Sequence, residues 1–325
     1  MPALKPFLES HQAAIYFVAV ITAVVTAMVL PETEQWDAAI NPALALMLFV
    51  TFLQVPLTTI GKSITHVRFI GALLVANFIV IPSLLAALLP FLPSEPLVKL
   101  GILLVLLAPC IDYVVTFAHL GRADAVRLLA STPILLLLQM LALPFYLTLF
   151  LGDAAAGLIV FAPFIEAFIW LIAVPLALAA LLQWLAVRQR TMAACSDALG
   201  YLPVPATALV LFIVVAAVIP QLRTTWASVL LAVPFYLLFA LLAPLLGWFT
   251  GRAFRLDSTG GRAVAFSAST RNSLVILPLA LAIPGALPLL PAIIVSQTLV
   301  ELLSELIYIR AIPKLNARDT RQEKP

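Results

Sequence analysis

The chain has 325 residues, 64% hydrophobic and only 10% charged, with a net charge of +3 and a mean hydropathy of +1.15. A soluble domain carries about 25% charged residues, so this composition excludes an ordinary globular enzyme or a nucleic-acid-binding module. The apolar runs are long and uniform, which predicts membrane-spanning helices rather than the short alternating strands of a barrel.

Ten segments are long and apolar enough to be read as spans: 12–30, 40–60, 68–90, 97–119, 127–150, 158–187, 203–219, 226–250, 262–284 and 289–310. The first is read as a retained helix, because its apolar run exceeds a signal-peptide core and no small-x-small pattern precedes Glu32. Basic residues alternate with the spans. With the N-terminus inside, fifteen Lys and Arg fall on that side, only Lys99 and Arg223 on the other, and Arg271 within a span. Positive residues mark the cytoplasmic side, so both termini are expected in the cytoplasm of a cell-membrane protein. Trp36, Trp184, Trp226 and Trp248 lie near span ends as interfacial anchors, and Glu166 is placed toward the interface.

No soluble domain interrupts the spans. The chain divides into halves of five segments, 1–152 and 153–325. Five is odd, so the second half starts on the opposite side, the plan of an inverted repeat. An offset of 162 lays Cys110 on Asn272 and Gln139 on Glu301. Spans four and nine are the anomalous pair. "LLAPCIDYVV" places Pro109, Cys110 and Asp112 in mid-span, and "SASTRNSLVI" carries the polar run from Ser267 to Ser273. Interrupted spans at matching places point to a binding site. The expected fold is an all-α integral membrane protein of ten helices in two inverted five-helix repeats, with helices four and nine broken.

Cys110 offers a soft sulfur at mid-membrane depth, suited to trivalent arsenic or antimony; its alternative is a small buried apolar residue. Asp112, Thr116 and His119 share a stripe if the helix resumes after the proline. A carboxylate there marks function or an ion pair with Arg271. Arg271 needs a carboxylate, backbone carbonyls or an anionic substrate, and Asp112 and Glu301 are the available acids. The last span carries Gln297, Thr298, Glu301, Ser304, Glu305 and Tyr308 on one face. Two carboxyls one turn apart suit a proton-coupled step. Glu301 is expected to be buried and Glu305 to snorkel to water. Cys195 reads as a plain exposed thiol in a cytoplasmic segment. No Walker loop, HExxH or nucleophile elbow appears, so the reading is of a non-enzyme that needs no cofactor.

"APCIDYVVTFAHLGRAD" resembles the fourth-helix signature of the Acr3-type arsenite efflux permeases, within the bile acid:sodium symporter superfamily. "FIWLIAVPLALAALL" is similar to that family's sixth helix and "VSQTLVELLSELIYI" to its last. The resemblance implies ten helices in panel and core parts, with broken helices four and nine crossing at the substrate site. It implies extrusion of trivalent arsenic or antimony in exchange for protons, with roles falling on Cys110 and Glu301. The chain departs from that pattern: helix five reads "LLASTPILLLLQ", with no acid, and helix nine reads "STRNS". The sodium-coupled symporters hold sodium with a helix-nine glutamate, and Arg271 stands in that neighbourhood instead.

Three functions follow as expectations. The first is an arsenite or antimonite efflux carrier coupled to proton exchange. Cys110, Asn272, Arg271 and Glu301 would be at the substrate, and Asp112, Glu301 and Glu305 would balance charge. The second is a proton- or sodium-coupled carrier of a small organic anion held by Arg271. The third is a non-transporting membrane receptor.

Overall fold

The computed structural model describes residues 4–54, 66–111, 113–152, 166, 169–221, 226–281, 283, 285 and 289–315. Among them the regular structure is helical, with one isolated β-bridge. Six helices are long and apolar enough to cross a membrane: Gln12–Val29, Val67–Phe91, Ala125–Leu151, Pro203–Pro220, Trp226–Ala253 and Leu289–Leu315. Ala38–Gln54, Pro96–Leu106 and Val174–Ala186 are apolar but shorter. The expected spans 40–60 and 158–187 run into 55–65, 153–165 and 167–168, which lie outside the described residues.

In chain order the helices are α1 (Leu4–Ser10), α2 (Gln12–Val29), α3 (Asp37–Gln54), α4 (Val67–Val75), α5 (Ile81–Leu88), α6 (Pro96–Leu106), α7 (Val114–Leu120) and α8 (Ala125–Leu151). Then come α9 (Val174–Ala186), α10 (Arg190–Leu199), α11 (Pro203–Gln221), α12 (Trp226–Ala253), α13 (Ser258–Ser269), α14 (Ser273–Leu281) and α15 (Leu289–Leu315). A π turn, Ala76–Val80, joins α4 to α5, and another, Ile169–Ala173, leads into α9. α6 starts with proline at its first position, where the missing N–H costs nothing. Asp124 caps α8 by accepting the Arg127 amide at 2.9 Å. The stretch 188–202, between the expected spans 158–187 and 203–219, contains α10, which has no buried residue and carries the exposed Cys195.

The chain folds into two compact units, each drawn from both halves of the sequence. One comprises Met1–Val55, Gly157–Val229 and Leu274–Val295; the other comprises Pro56–Ala156, Leu230–Ser273 and Ser296–Pro325. In the first, α11 is the central element, contacted by α2 and α3, and α3 also meets α9. α2 turns Tyr16, Val20, Ala23 and Ala27 inward at helical spacing and leaves Val18, Ile21 and Val25 exposed. A helix apolar on every side suits a lipid environment.

The second unit holds the anomalous segment around Pro109 and the one around Arg271 as far as Ser273. Both are interrupted, as their composition led us to expect. α6 ends at Leu106 and α7 begins only at Val114; α13 ends at Ser269 and α14 begins at Ser273. Every residue of α13 from Gly260 to Ser269 is buried. Small residues let α12 approach it closely. A Cβ added to Gly251 would lie 2.9 Å from the Gly261 Cα, and one on Gly247 would lie 2.7 Å from the Ala268 Cβ. Gly247 and Gly251 stand one turn apart, the small-residue spacing of close helix contacts in membranes.

Candidate functional site

The first break has a covalent cause. Pro109 has no amide hydrogen and disfavours helical geometry at Ala108. The second has no proline between 258 and 273. Instead Ser269 Oγ reaches the Ala265 and Phe266 carbonyls and Thr270 Oγ1 the Phe266 carbonyl, so hydroxyls compete for the helix's own acceptors. The two broken stretches then satisfy one another. The Cys110 amide donates to the Thr270 carbonyl at 3.0 Å, and the Asn272 amide donates to the Ala108 carbonyl at 2.8 Å. This is the antiparallel bridge Pro109–Arg271. A buried backbone group away from water must find such a partner.

Arg271 sits at the centre of the crossing with no solvent exposure. Its backbone amide donates to Glu301 Oε2 at 2.7 Å. Its guanidinium goes elsewhere. Nη2 donates to Asn77 Oδ1 at 2.9 Å, to the Ser267 carbonyl at 2.8 Å and to the Ala268 carbonyl at 2.7 Å; Nη1 donates to the Leu106 carbonyl at 3.3 Å. Its Cζ lies 5.3 Å from the Phe239 ring centroid. Among the described residues the guanidinium's hydrogen-bond partners are therefore neutral oxygens: three backbone carbonyls, one of the kinds of partner expected for it, and the Asn77 amide oxygen.

Glu301 is 3% exposed and receives three hydrogen bonds. Besides the Arg271 amide, the Tyr113 hydroxyl donates to Oε1 at 2.6 Å and Gln297 Nε2 donates to Oε2 at 2.5 Å. Tyr113 also lies 3.2 Å from the Arg271 carbonyl, so its single proton has two acceptors to choose between. One turn along, Glu305 is not the snorkelling residue expected. It is fully buried, with the Thr270 hydroxyl 2.5 Å from Oε1 and no hydrogen-bond partner to Oε2 among the described residues. The break at Thr270 draws Glu305 inward: the terminated helix α13 leaves a hydroxyl beside α15, and Glu305 meets it. A small cavity borders Glu301 and is lined also by Tyr236, Gln297, Ser304 and Tyr308.

The crossing thus brings together Cys110, Arg271, Asn272 and Glu301 of the expected site, with Glu305 beside Thr270. Cys110 and Asn272 are placed by their backbone bonds and are buried. Asp112 lies outside the described residues. Thr116 is partly exposed and His119 exposed on α7. Sequence reasoning missed Asn77 and Tyr113. Asn77 is a lone amide in the apolar run "LLVANFIVIP", a signal that was there to use. It sits on the π turn, a local distortion frequent at functional sites, and it also donates to Ser267 Oγ at 2.9 Å. Tyr113 carries no such signal; its role comes from a partner 188 residues away.

Six helices able to span a bilayer, together with arginine, glutamate and amide groups buried at two broken segments of the second unit, define a multi-pass membrane protein of the transporter kind. Residues 41–228 match the Sodium Bile acid symporter family, and the chain belongs to it. Its members are membrane transporters that move a substrate with a coupling ion such as sodium. A comparison with curated proteins found none that matches.

Proposed function

We propose that this chain is a secondary active transporter that exports trivalent arsenic or antimony as neutral hydroxides in exchange for protons. The observation that carries the reading is Glu301, buried at the crossing and held by the Tyr113 hydroxyl, the Gln297 amide and the Arg271 backbone N–H. A carboxyl held by hydroxyl and amide donors, with a second carboxyl one turn away, is equipped to take and release a proton during a cycle. Cys110 supplies a soft atom at the same crossing. A neutral cargo asks for no fixed countercharge, in keeping with a guanidinium whose described partners are already neutral oxygens. For the same reason the organic-anion reading, which needs that guanidinium for substrate, is the weaker one, and a receptor has no use for a buried carboxyl set of this kind.

The proposed scaffold is a ten-span inverted repeat, N- and C-termini cytoplasmic, with halves 1–152 and 153–325. Two pairs of contacts support it. Tyr146 bonds the Phe78 carbonyl as Tyr308 bonds that of Ala240, at one offset of 162 (308 − 146 and 240 − 78). The two bonds of the bridge, Cys110 to Thr270 and Asn272 to Ala108, exchange roles under the same offset (272 − 110 and 270 − 108).

Expression in cells lacking arsenite efflux tests the cargo. The expected result is a gain in tolerance that Cys110→Ala removes. No gain, or an equal gain with the alanine variant, rejects it.

A further inference from the structure

The Arg271 guanidinium occupies a cage with a particular origin. In an unbroken helix the Ser267 carbonyl would take the amide of residue 271 and the Ala268 carbonyl that of residue 272. Both amides are diverted, to Glu301 Oε2 and to the Ala108 carbonyl. The two carbonyls are left at the C-terminal end of α13, and the guanidinium turns back onto them at 2.8 and 2.7 Å. The third carbonyl belongs to Leu106, the last residue of α6. Two half-helix C-termini, each with partial negative charge, therefore converge on one cation. The fourth ligand is Asn77 Oδ1; that side chain is fixed by its Nδ2, which donates to Leu73 O at 3.0 Å and to Ser267 Oγ at 2.9 Å. All four described ligands are neutral oxygens, the donor type taken by hard cations. With no carboxylate among them, the cage suits a single positive charge.

We infer that Arg271 is this transporter's built-in cation: its guanidinium fills by covalent tether a cage that would otherwise hold a free monovalent cation, so transport proceeds without sodium and removal of the side chain opens a sodium or potassium site. The inference rests on the transporter reading given above, and it adds a departure from the ion usage after which the family is named. It also gives the arginine a role that needs no substrate contact: a charge that never leaves stabilises the crossing in every state, where a bound ion would dissociate.

The test is thermal stability of the purified full chain as wild type, Arg271→Ala and Arg271→Lys, in sodium, potassium or choline chloride at equal ionic strength. Arg271→Ala is expected to gain about 5 °C in melting temperature at saturating sodium or potassium relative to choline, and the other two to melt alike in all three salts. Equal melting of Arg271→Ala in all salts overturns the inference. Recovery of folded Arg271→Ala only when sodium or potassium is present throughout purification supports it. If that variant folds in no salt, the wild type decides: substrate exchange in proteoliposomes unchanged when choline replaces sodium supports the inference, and loss of exchange overturns it. The melting readout contains no cargo, so it stands or falls separately from the arsenite assignment.

Discussion

At the scale of single residues, Glu301 is held by donors of two kinds. The Arg271 amide is fixed by the chain itself, while Tyr113 and Gln297 reach it with side chains that substitution can remove. A hydrogen bond to a charged group contributes about 1.5–3 kcal/mol. Tyr113→Phe keeps the ring, which meets Phe117 edge-on at 6.1 Å, and deletes only the hydroxyl. It is therefore expected to lower proton-driven transport about tenfold while leaving the melting temperature within a few degrees. Initial rates in proteoliposomes, set beside melting curves, check both halves of that statement. Glu305 differs because its Oε2 meets no donor among the described residues. Thr270 Oγ1 lies 2.7 Å from the Phe266 carbonyl as well as 2.5 Å from Glu305, and one hydroxyl proton cannot serve both. Replacing Glu305 by Gln keeps an acceptor and puts an amide donor beside the Thr270 hydroxyl, and is expected to preserve folding, which size-exclusion chromatography would show.

At the scale of elements, the two half-helices depend on close packing and on their entry points. Valine at Gly247 would be forced against Ala268 and the Ala265 backbone. Overpacking costs about 1–3 kcal/mol, so Gly247→Val should lower the melting temperature by several degrees and reduce transport by displacing α13 from the crossing. At the starts of α8 and α13, Arg127 bridges Asp124 at 2.9 Å and Asp257 at 3.0 Å. Partial burial pushes the Asp257 carboxyl up, but the Thr259 hydroxyl and the Arg127 guanidinium outweigh it and hold the group below its usual 3.8. A group depressed on folding contributes stability above its unfolded value and loses it as pH falls through the folded one. Asp257→Asn should thus melt slightly lower than wild type at pH 7, by the ~0.5 kcal/mol of a surface pair, and the gap should close in acid, as pH falls through the carboxyl's lowered folded value. Melting curves at the two pH values give the comparison.

These elements also show what was legible before any coordinates. The break at Pro109 is written in covalent chemistry, so it could be read directly. The break at 270–272 was legible only as a polar run, because hydroxyls end a helix there and no ring does. The burial of Glu305 was misread, because its depth along α15 placed it toward water while its partner is set by where α13 stops. Asn77 and Tyr113 act through partners 194 and 188 residues away, and no local period encodes such contacts. The positions of the two breaks, by contrast, were readable from composition: a proline in one apolar run and a polar run in the other.

At the scale of the whole molecule, the exposed apolar side chains, among them Leu141, Phe145 and Leu149 on α8 and Leu237 and Leu241 on α12, would promote aggregation of a soluble protein; in a bilayer they face lipid. The basic-residue bias predicts the side on which α10 lies, and the two cysteines provide a label for it. Cys195 is exposed and Cys110 buried. A membrane-impermeant maleimide should label Cys195 in inside-out vesicles and not in right-side-out ones; the reverse pattern would invert the proposed orientation. In the proposed cycle the carboxyl at the crossing carries the exchanged proton. The direct measurement is arsenite flux in proteoliposomes under an imposed pH gradient, for wild type and Glu301→Gln. We predict that the gradient accelerates wild-type flux and leaves the glutamine variant unaffected, and an equal acceleration of both would contradict the claim.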